Sequence, residues 1–513
     1  MITNVIEYLE ESTRKFPDKK AVADAKTSMT YTELSQISDQ VAAALIKYTS
    51  PRQAVPVFMD KSCETLAIFL GAVKAGCFYV CLDPTQPAER INHILETLGA
   101  DMMVVDDKSV KRQEKLGFEG KALLASEVLG YEIKEEDRAK LAAIREQALD
   151  IDPLYSIFTS GSTGIPKGVI VCHRSVIDFI ENFTRIFDIT DQDIIGNQAP
   201  FDFDVSVKDI YSSLKVGATI QIIPKTFFSF PTKLLDYLDD NKVTSLIWAV
   251  SALCIVTTLK GFEYKIPSAI KKVIFSGEVM PIKHLNQWIE AYPNAMFVNV
   301  YGPTEITCNC TYYIIDRKFG LDDVLPMGKA FPNERVMLLD DDDKLIEQNQ
   351  AGKTGEIVVS GTCVTLGYFN NREKTDQAFV QNPLNKAYNE LVYRTGDLGY
   401  YNENGEMCFS SRKDFQIKHM GHRIELGEIE MAINAIDGIN RACCIFHQDA
   451  NKILGFFEGS SDKKTITHEL SLKLPKFMIP QEFIDVDQMP VTKNGKIDRK
   501  KLMDDYLATK EGE

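Results

Sequence analysis

A chain of 513 residues exceeds one compact domain of ordinary size and calls for two or more folded units. Apolar residues make up 44 % and charged residues 26 %, the balance of a globular protein able to bury a sizeable core. A net charge of −15 excludes nucleic-acid binding through bulk positive charge, and the acid is uneven: residues 415–513 hold 14 Lys/Arg against 16 Asp/Glu, which leaves −13 on residues 1–414.

The N-terminal stretch MITNVIEYLEESTRKFPDKK reads as an amphipathic helix over residues 4–16 and has no apolar core of signal-peptide type. A second helix is predicted over residues 31–48, and AVPVFM (54–59) and DMMVVDD (101–107) read as strands. The long apolar run 65–82 is broken by Lys74 and Gly76; it is a buried helix followed by a strand, not a membrane span. Residues 135–149 read as a charged surface helix. ATIQIIP, SLIWAV, KKVIFSG and MFVNVYG then recur as strands between helical patterns, which predicts an α/β fold with a mixed, largely parallel sheet. From Glu334 the texture turns to hairpins: VMLLDDDDKLIE with GEIVVSG, then two strands around Asn404-Gly405. The segment after residue 413 has its own strands and helices. The reading therefore places a large N-terminal unit at 1–413, with a small β-subdomain, and a small α+β unit at 414–513. Eleven cysteines without framework or zinc spacing read as free thiols, so a reduced, cytoplasmic protein is expected.

One stretch carries chemistry on its face. FTSGSTGIPKGV (158–169) gathers hydroxyls and glycines around a lysine, the makings of a phosphate cradle. It is not a Walker A loop, because Pro166 precedes the lysine and Gly168 follows it.

Together with that loop, MTYTEL, VKAGCFYVCLDP, NQAPFDFDVSVKDI, FSGEVMP, NVYGPTE, GEIVVSG, YRTGDLG, SRKDFQIKHMGHRIELGEIE and NGKIDRK occur in one order along nearly the whole chain. In this set the chain resembles the adenylate-forming ligases, which include acyl-CoA synthetases, luciferases and peptide-synthetase adenylation domains. It is most similar to the stand-alone D-alanine–carrier-protein ligases. The resemblance implies ATP and Mg²⁺ as cofactors, a large ATP- and acid-binding body, and a mobile C-terminal domain that swings about Asp414. It implies that Thr159, Ser160, Gly161, Ser162, Thr163, Gly164 and Lys167 hold phosphates. Asn299 and Tyr301 would flank adenine, with Gly302 and Thr304 near the phosphates and Glu305 on the metal. Asp397 would take the ribose hydroxyls with Arg412 beside it, and Lys496 would serve the adenylation step. The other domain pose would present the segment around Lys418 and Gly421 for thioester formation.

By the same resemblance Asp204 binds a substrate α-ammonium, the register of SVKDI favouring it over Asp202, and Val205, Lys208, Trp248, Ser276, Gly277, Val300 and Cys308 line the pocket. D-alanine ligases carry Cys where Ser276 stands and an apolar residue where Lys208 stands, so this chain departs from them twice. If 204–210 opens a helix, Asp204 and Lys208 share a face. Lys208 then either leaves the pocket or pairs with Asp204, for a small substrate such as alanine, or it meets an acidic or amide side chain. The expected activity is conversion of an amino acid to its adenylate and transfer to the phosphopantetheine thiol of a separate carrier protein. A coenzyme A ligase and a non-catalytic nucleotide sensor are the alternatives. Neither nucleic acid nor membrane insertion is expected.

Overall fold

The computed structural model describes residues 2–160, 166–321, 323–413, 416–448, 450–491 and 497–511. Two large sheets build the body. The six-stranded one runs in the order Lys121–Leu124, Met102–Val105, Ala54–Phe58, Phe78–Leu82, Pro153–Thr159, Lys167–Cys172. Its first five strands are parallel and the last is antiparallel. Ala54–Phe58 is buried along its whole length, which is why it reads as an unbroken apolar run rather than an alternating one. The 65–82 run resolves into the helix Cys63–Lys74 and the strand Phe78–Leu82; Ser62 Oγ accepts from Thr65 N to cap the helix.

The nine-stranded sheet carries the parallel strands Ile194–Asn197, Ser245–Ala249, Lys272–Ser276 and Met296–Tyr301 side by side, with antiparallel strands at both edges. The helix Val205–Val216 lies against it and ends at Gly217 in the left-handed conformation. One extensive apolar core joins both sheets through Tyr79, Tyr155, Phe183 and Ile247.

A five-stranded antiparallel sheet follows. Glu334–Leu339 pairs with Gly355–Gly361, and Leu391–Tyr401 with Met407–Arg412, the latter turning at Gly405. The predicted helix 31–48 is shorter, Tyr31–Leu45, and 135–149 ends at Glu146. Beyond residue 415 come a hairpin, Gln416–His419 with His422–Glu425, and a three-stranded sheet, Ile439–His447, Lys452–Gly459 and Glu482–Asp485. An apolar cluster built only from this region, with Ile429, Ile433, Ile453 and Leu470 at its centre, supports them. Among the described residues no helix is long and apolar enough to cross a membrane.

Candidate active site

The site forms beyond the carboxyl ends of the parallel strands, where an open α/β sheet leaves backbone and side chains free to meet a ligand. Lys272–Ser276 delivers Ser276 and Gly277; Met296–Tyr301 delivers Gly302, Pro303 and Thr304; the first turn of Val205–Val216 delivers Val205 and Lys208. Phe203, Asp204, Cys308 and Asn309 complete that side of a cavity of about 40 Å³. Gly302 is required by close approach, since a Cβ there would stand 2.5 Å from Asn309 Cα. Thr307 and Cys308 hold positive φ of 56° and 72°, a strained turn that folds Asn309 back toward the pocket.

Asp204 occupies the N-cap position, yet its side chain caps nothing. Burial raises its carboxyl, against the opposing pull of a hydrogen bond with Thr304 and of Lys208. Asp202 lies outside the lining and accepts instead from Gln86. Lys208, 1 % exposed, neither leaves the pocket nor pairs with Asp204. Its ammonium donates to Ser276 Oγ at 3.1 Å and Asn309 Oδ1 at 2.8 Å, both neutral, and among the described residues it forms no salt bridge. Burial lowers its pKa, while Cys308 and Asp204 work in the other direction.

Trp248, expected in the lining, lies outside it. It is paired with Phe275 on the next strand, whereas Ala249 is paired with Ser276. Strand alternation therefore turns Trp248 to the opposite face from Ser276. There it packs on Phe228 and Trp288 and donates to the Gly196 carbonyl at 2.8 Å. Val300 is likewise buried in the main core and lies outside the cavity lining.

On the nucleotide side, Asp397 and Arg412 face each other across paired strands and form a salt bridge. Tyr301 Oη donates to the second Asp397 oxygen at 2.5 Å. Asn299 is turned away and donates to the Pro326 carbonyl at 2.8 Å. Thr159 and Lys167 are register partners at the mouth of the glycine loop. Thr159 Oγ1 is buried without a hydrogen-bond partner among the described residues, a hydroxyl suited to an incoming oxygen. Gly161, Ser162, Thr163 and Gly164 lie outside the described residues, as do Asp414 and Lys496.

Glu305 is 0 % exposed and both oxygens are engaged: Oε1 accepts from Tyr368 Oη at 2.8 Å and Oε2 from Arg423 Nη1 at 2.6 Å. Burial alone would raise its pKa, but the Arg423 and Lys167 charges outweigh it and hold the carboxyl down to about 2. Sequence reading did not single out Arg423, Tyr368, Glu278 or Asn309. Arg423 and Glu278 stand inside recognised stretches, but their roles arise from contacts between distant parts of the chain. Arg423 belongs to the 416–425 hairpin, which is seated in the site. Gly421 N donates to Glu278 Oε1 at 2.7 Å, Ser160 Oγ donates to the Arg423 carbonyl at 2.7 Å, and Lys418 lies 5.6 Å from the Tyr301 ring centroid. Gly421, at φ +81°, comes within 3.3 Å of Ala249 Cβ at the position its own Cβ would take.

The donor set fits a magnesium ion of one kind. Among the described residues no cluster of three metal-type ligands exists; a magnesium ion would be held through Glu305, whose hard carboxylate oxygens suit that cation. Arg423 must leave Oε2 for that to happen.

Residues 9–369 match the family model described as AMP-binding enzyme. The chain is 33 % identical over 515 residues to zwittermicin A synthase ZmaJ of Bacillus cereus, covering 98 % of this chain and 95 % of that one. It is 31 % identical over 530 residues to the D-alanine--D-alanyl carrier protein ligase of Bacillus cereus strain G9842, covering 98 % and 100 %. Other relatives are far longer, and the chain spans 9 % of one and 46 % of another. Among solved structures, IdnL1 superposes with a TM-score of 0.80 at 25 % identity, covering 96 % of this chain and 99 % of that one. The chain belongs to the AMP-binding enzyme family and is an adenylate-forming, ATP-using enzyme that activates an acid.

Proposed function

We propose that the acid is a small amino acid with an acidic, amide or hydroxyl side chain, activated as its adenylate and passed to the phosphopantetheine thiol of a separate carrier protein. The observation that carries this reading is the pair on the first turn of Val205–Val216. Asp204 offers a carboxylate spent on no cap, and one turn on Lys208 holds a buried ammonium with only neutral partners. A desolvated cation is costly without a counter-charge, so a ligand that brings a polar or anionic group to Lys208 is favoured.

In this reading Asp204 holds the α-ammonium, Asp397 the ribose hydroxyls, and Tyr301 the adenine face. Thr159, Thr304, Lys167 and the glycine loop hold phosphates. Magnesium at Glu305, when bound, supplies positive charge to the departing pyrophosphate. Residues 414–513 act as a mobile domain hinged at Asp414. One pose brings Lys496 to the carboxylate and α-phosphate; the pose described above, with Arg423 on Glu305, serves thioester formation. The similarity to a carrier-protein ligase over its full length supports a carrier as acceptor.

The test is ATP–pyrophosphate exchange with alanine, serine, aspartate, asparagine and glutamate of both chiralities, on wild type and Lys208→Met. The reading predicts a preference for a polar or acidic substrate that shifts toward alanine in the variant. It fails if wild type prefers alanine and Lys208→Met leaves the ranking unchanged.

A further inference from the structure

Asp202, set aside above as a substrate ligand, stands in the turn that leads into Val205–Val216, two residues before Asp204. Its Oδ2 accepts from Gln86 Nε2 at 2.9 Å. The same amide's Oε1 accepts from Arg90 Nε at 3.2 Å, and Arg90 Nη1 donates to Glu428 Oε1 at 3.1 Å. The Arg90 and Glu428 side chains are 8 % and 2 % exposed. Arg90 lies on the helix Ala88–Leu98 of the body, whereas Glu428 lies on Leu426–Asn434, which directly follows the seated hairpin.

Each link is directional. Asp202 needs the amide's donor end and Arg90 needs its acceptor end, so Gln86 can satisfy both in only one orientation. The guanidinium is a rigid plane, and fixing Nη1 on Glu428 also fixes the direction in which Nε points. The opposite end of the substrate loop is pinned without reference to the hairpin, since Lys61 Nζ donates to the Asn197 and Gln198 carbonyls at 3.2 and 2.8 Å. Among the described residues the link to Glu428 runs from the Asp202 end.

We propose that Arg90, Gln86 and Asp202 are positioning residues that tie the seating of Leu426–Asn434 to the loop presenting Asp204, so that hairpin seating and binding of the aminoacyl-adenylate strengthen each other. The inference rests on the amino-acid reading above. Reciprocity follows from linkage: whatever the bound adenylate does for seating, seating does for the adenylate.

Hydrogen exchange on the whole protein, with and without the sulfamoyl-adenosine analogues of aspartate and alanine, tests this. In wild type the better-binding analogue should slow exchange of amides in 416–434. Gln86→Leu should lose most of that gain and bind the analogue about tenfold more weakly. Gln86→Glu, which keeps an acceptor for Arg90 but removes the donor to Asp202, should behave alike and serves if the leucine variant folds poorly. Exchange in the helix Ile282–Ala291, which packs in a separate apolar cluster, should stay at wild-type rates. A full wild-type gain in either variant, or faster exchange in Ile282–Ala291 as well, overturns the relay and leaves the amino-acid reading standing. Binding of neither analogue by wild type overturns both.

Discussion

Arg423→Met isolates the contact that closes the site. The substitution keeps a flexible side chain of similar reach and removes the charge that neutralises Glu305, which is 0 % exposed. Removing one partner of a buried pair typically costs about 3–5 kcal/mol, because the other charge is left behind in low dielectric. The depression of the Glu305 carboxyl from 4.5 to about 2 corresponds to about 3 kcal/mol, a compatible magnitude. The seated arrangement should therefore lose a factor of roughly 10² in population relative to the unseated one. Hydrogen exchange across 416–425 in EDTA reads this directly, as faster exchange in the variant. Transfer from preformed adenylate should slow while adenylation is preserved. Because the pKa is depressed on folding, the stabilisation is complete above about pH 4.5 and is lost as pH falls toward about 2. Acid unfolding of the variant should lack that contribution. Unchanged hairpin exchange together with unchanged transfer would refute the reasoning.

Lys496→Ala should slow adenylation by roughly 10²–10³, about 3–4 kcal/mol, and affect transfer from preformed adenylate far less; equal losses in both half-reactions would remove Lys496 from the chemical step. Trp248→Ala should lower stability by about 3–5 kcal/mol in denaturant unfolding while leaving the amino-acid ranking intact, since the indole fills the core behind the strand; an altered ranking at unchanged stability would return Trp248 to the pocket. A purified carrier protein should be acylated in trans and free coenzyme A used poorly; rapid acyl-CoA formation with no carrier loading would favour the coenzyme A ligase.

What the sequence made legible is what depends on neighbours along the chain. The strands of the two large sheets are apolar runs bounded by turn residues, whereas Asp204 was put forward by the family resemblance, with the register of SVKDI favouring it over Asp202. Helix ends were less legible, as at Leu45, where three further residues were assigned to the helix. Trp248 shows the limit of pocket assignment: one step along a strand exchanges the faces, and only the pairing of Ala249 with Ser276 fixes which residue turns inward. Arg423 and Glu278 were out of reach for another reason. Arg423 meets a carboxylate 118 residues away, and Glu278 meets an N–H 143 residues away, so neither contact leaves a local pattern.

If Asp204 holds the α-ammonium group, it selects an acid that bears one. ATP–pyrophosphate exchange with paired substrates, each amino acid against the same acid lacking its α-amine, measured on wild type and Asp204→Ala, tests it most directly. Exchange is expected with amino acids and little with their deaminated counterparts, with loss of that discrimination by about two orders of magnitude in Asp204→Ala, as expected when a buried charge partner is removed. Equal exchange with both classes in wild type, or discrimination that survives in Asp204→Ala, would contradict it.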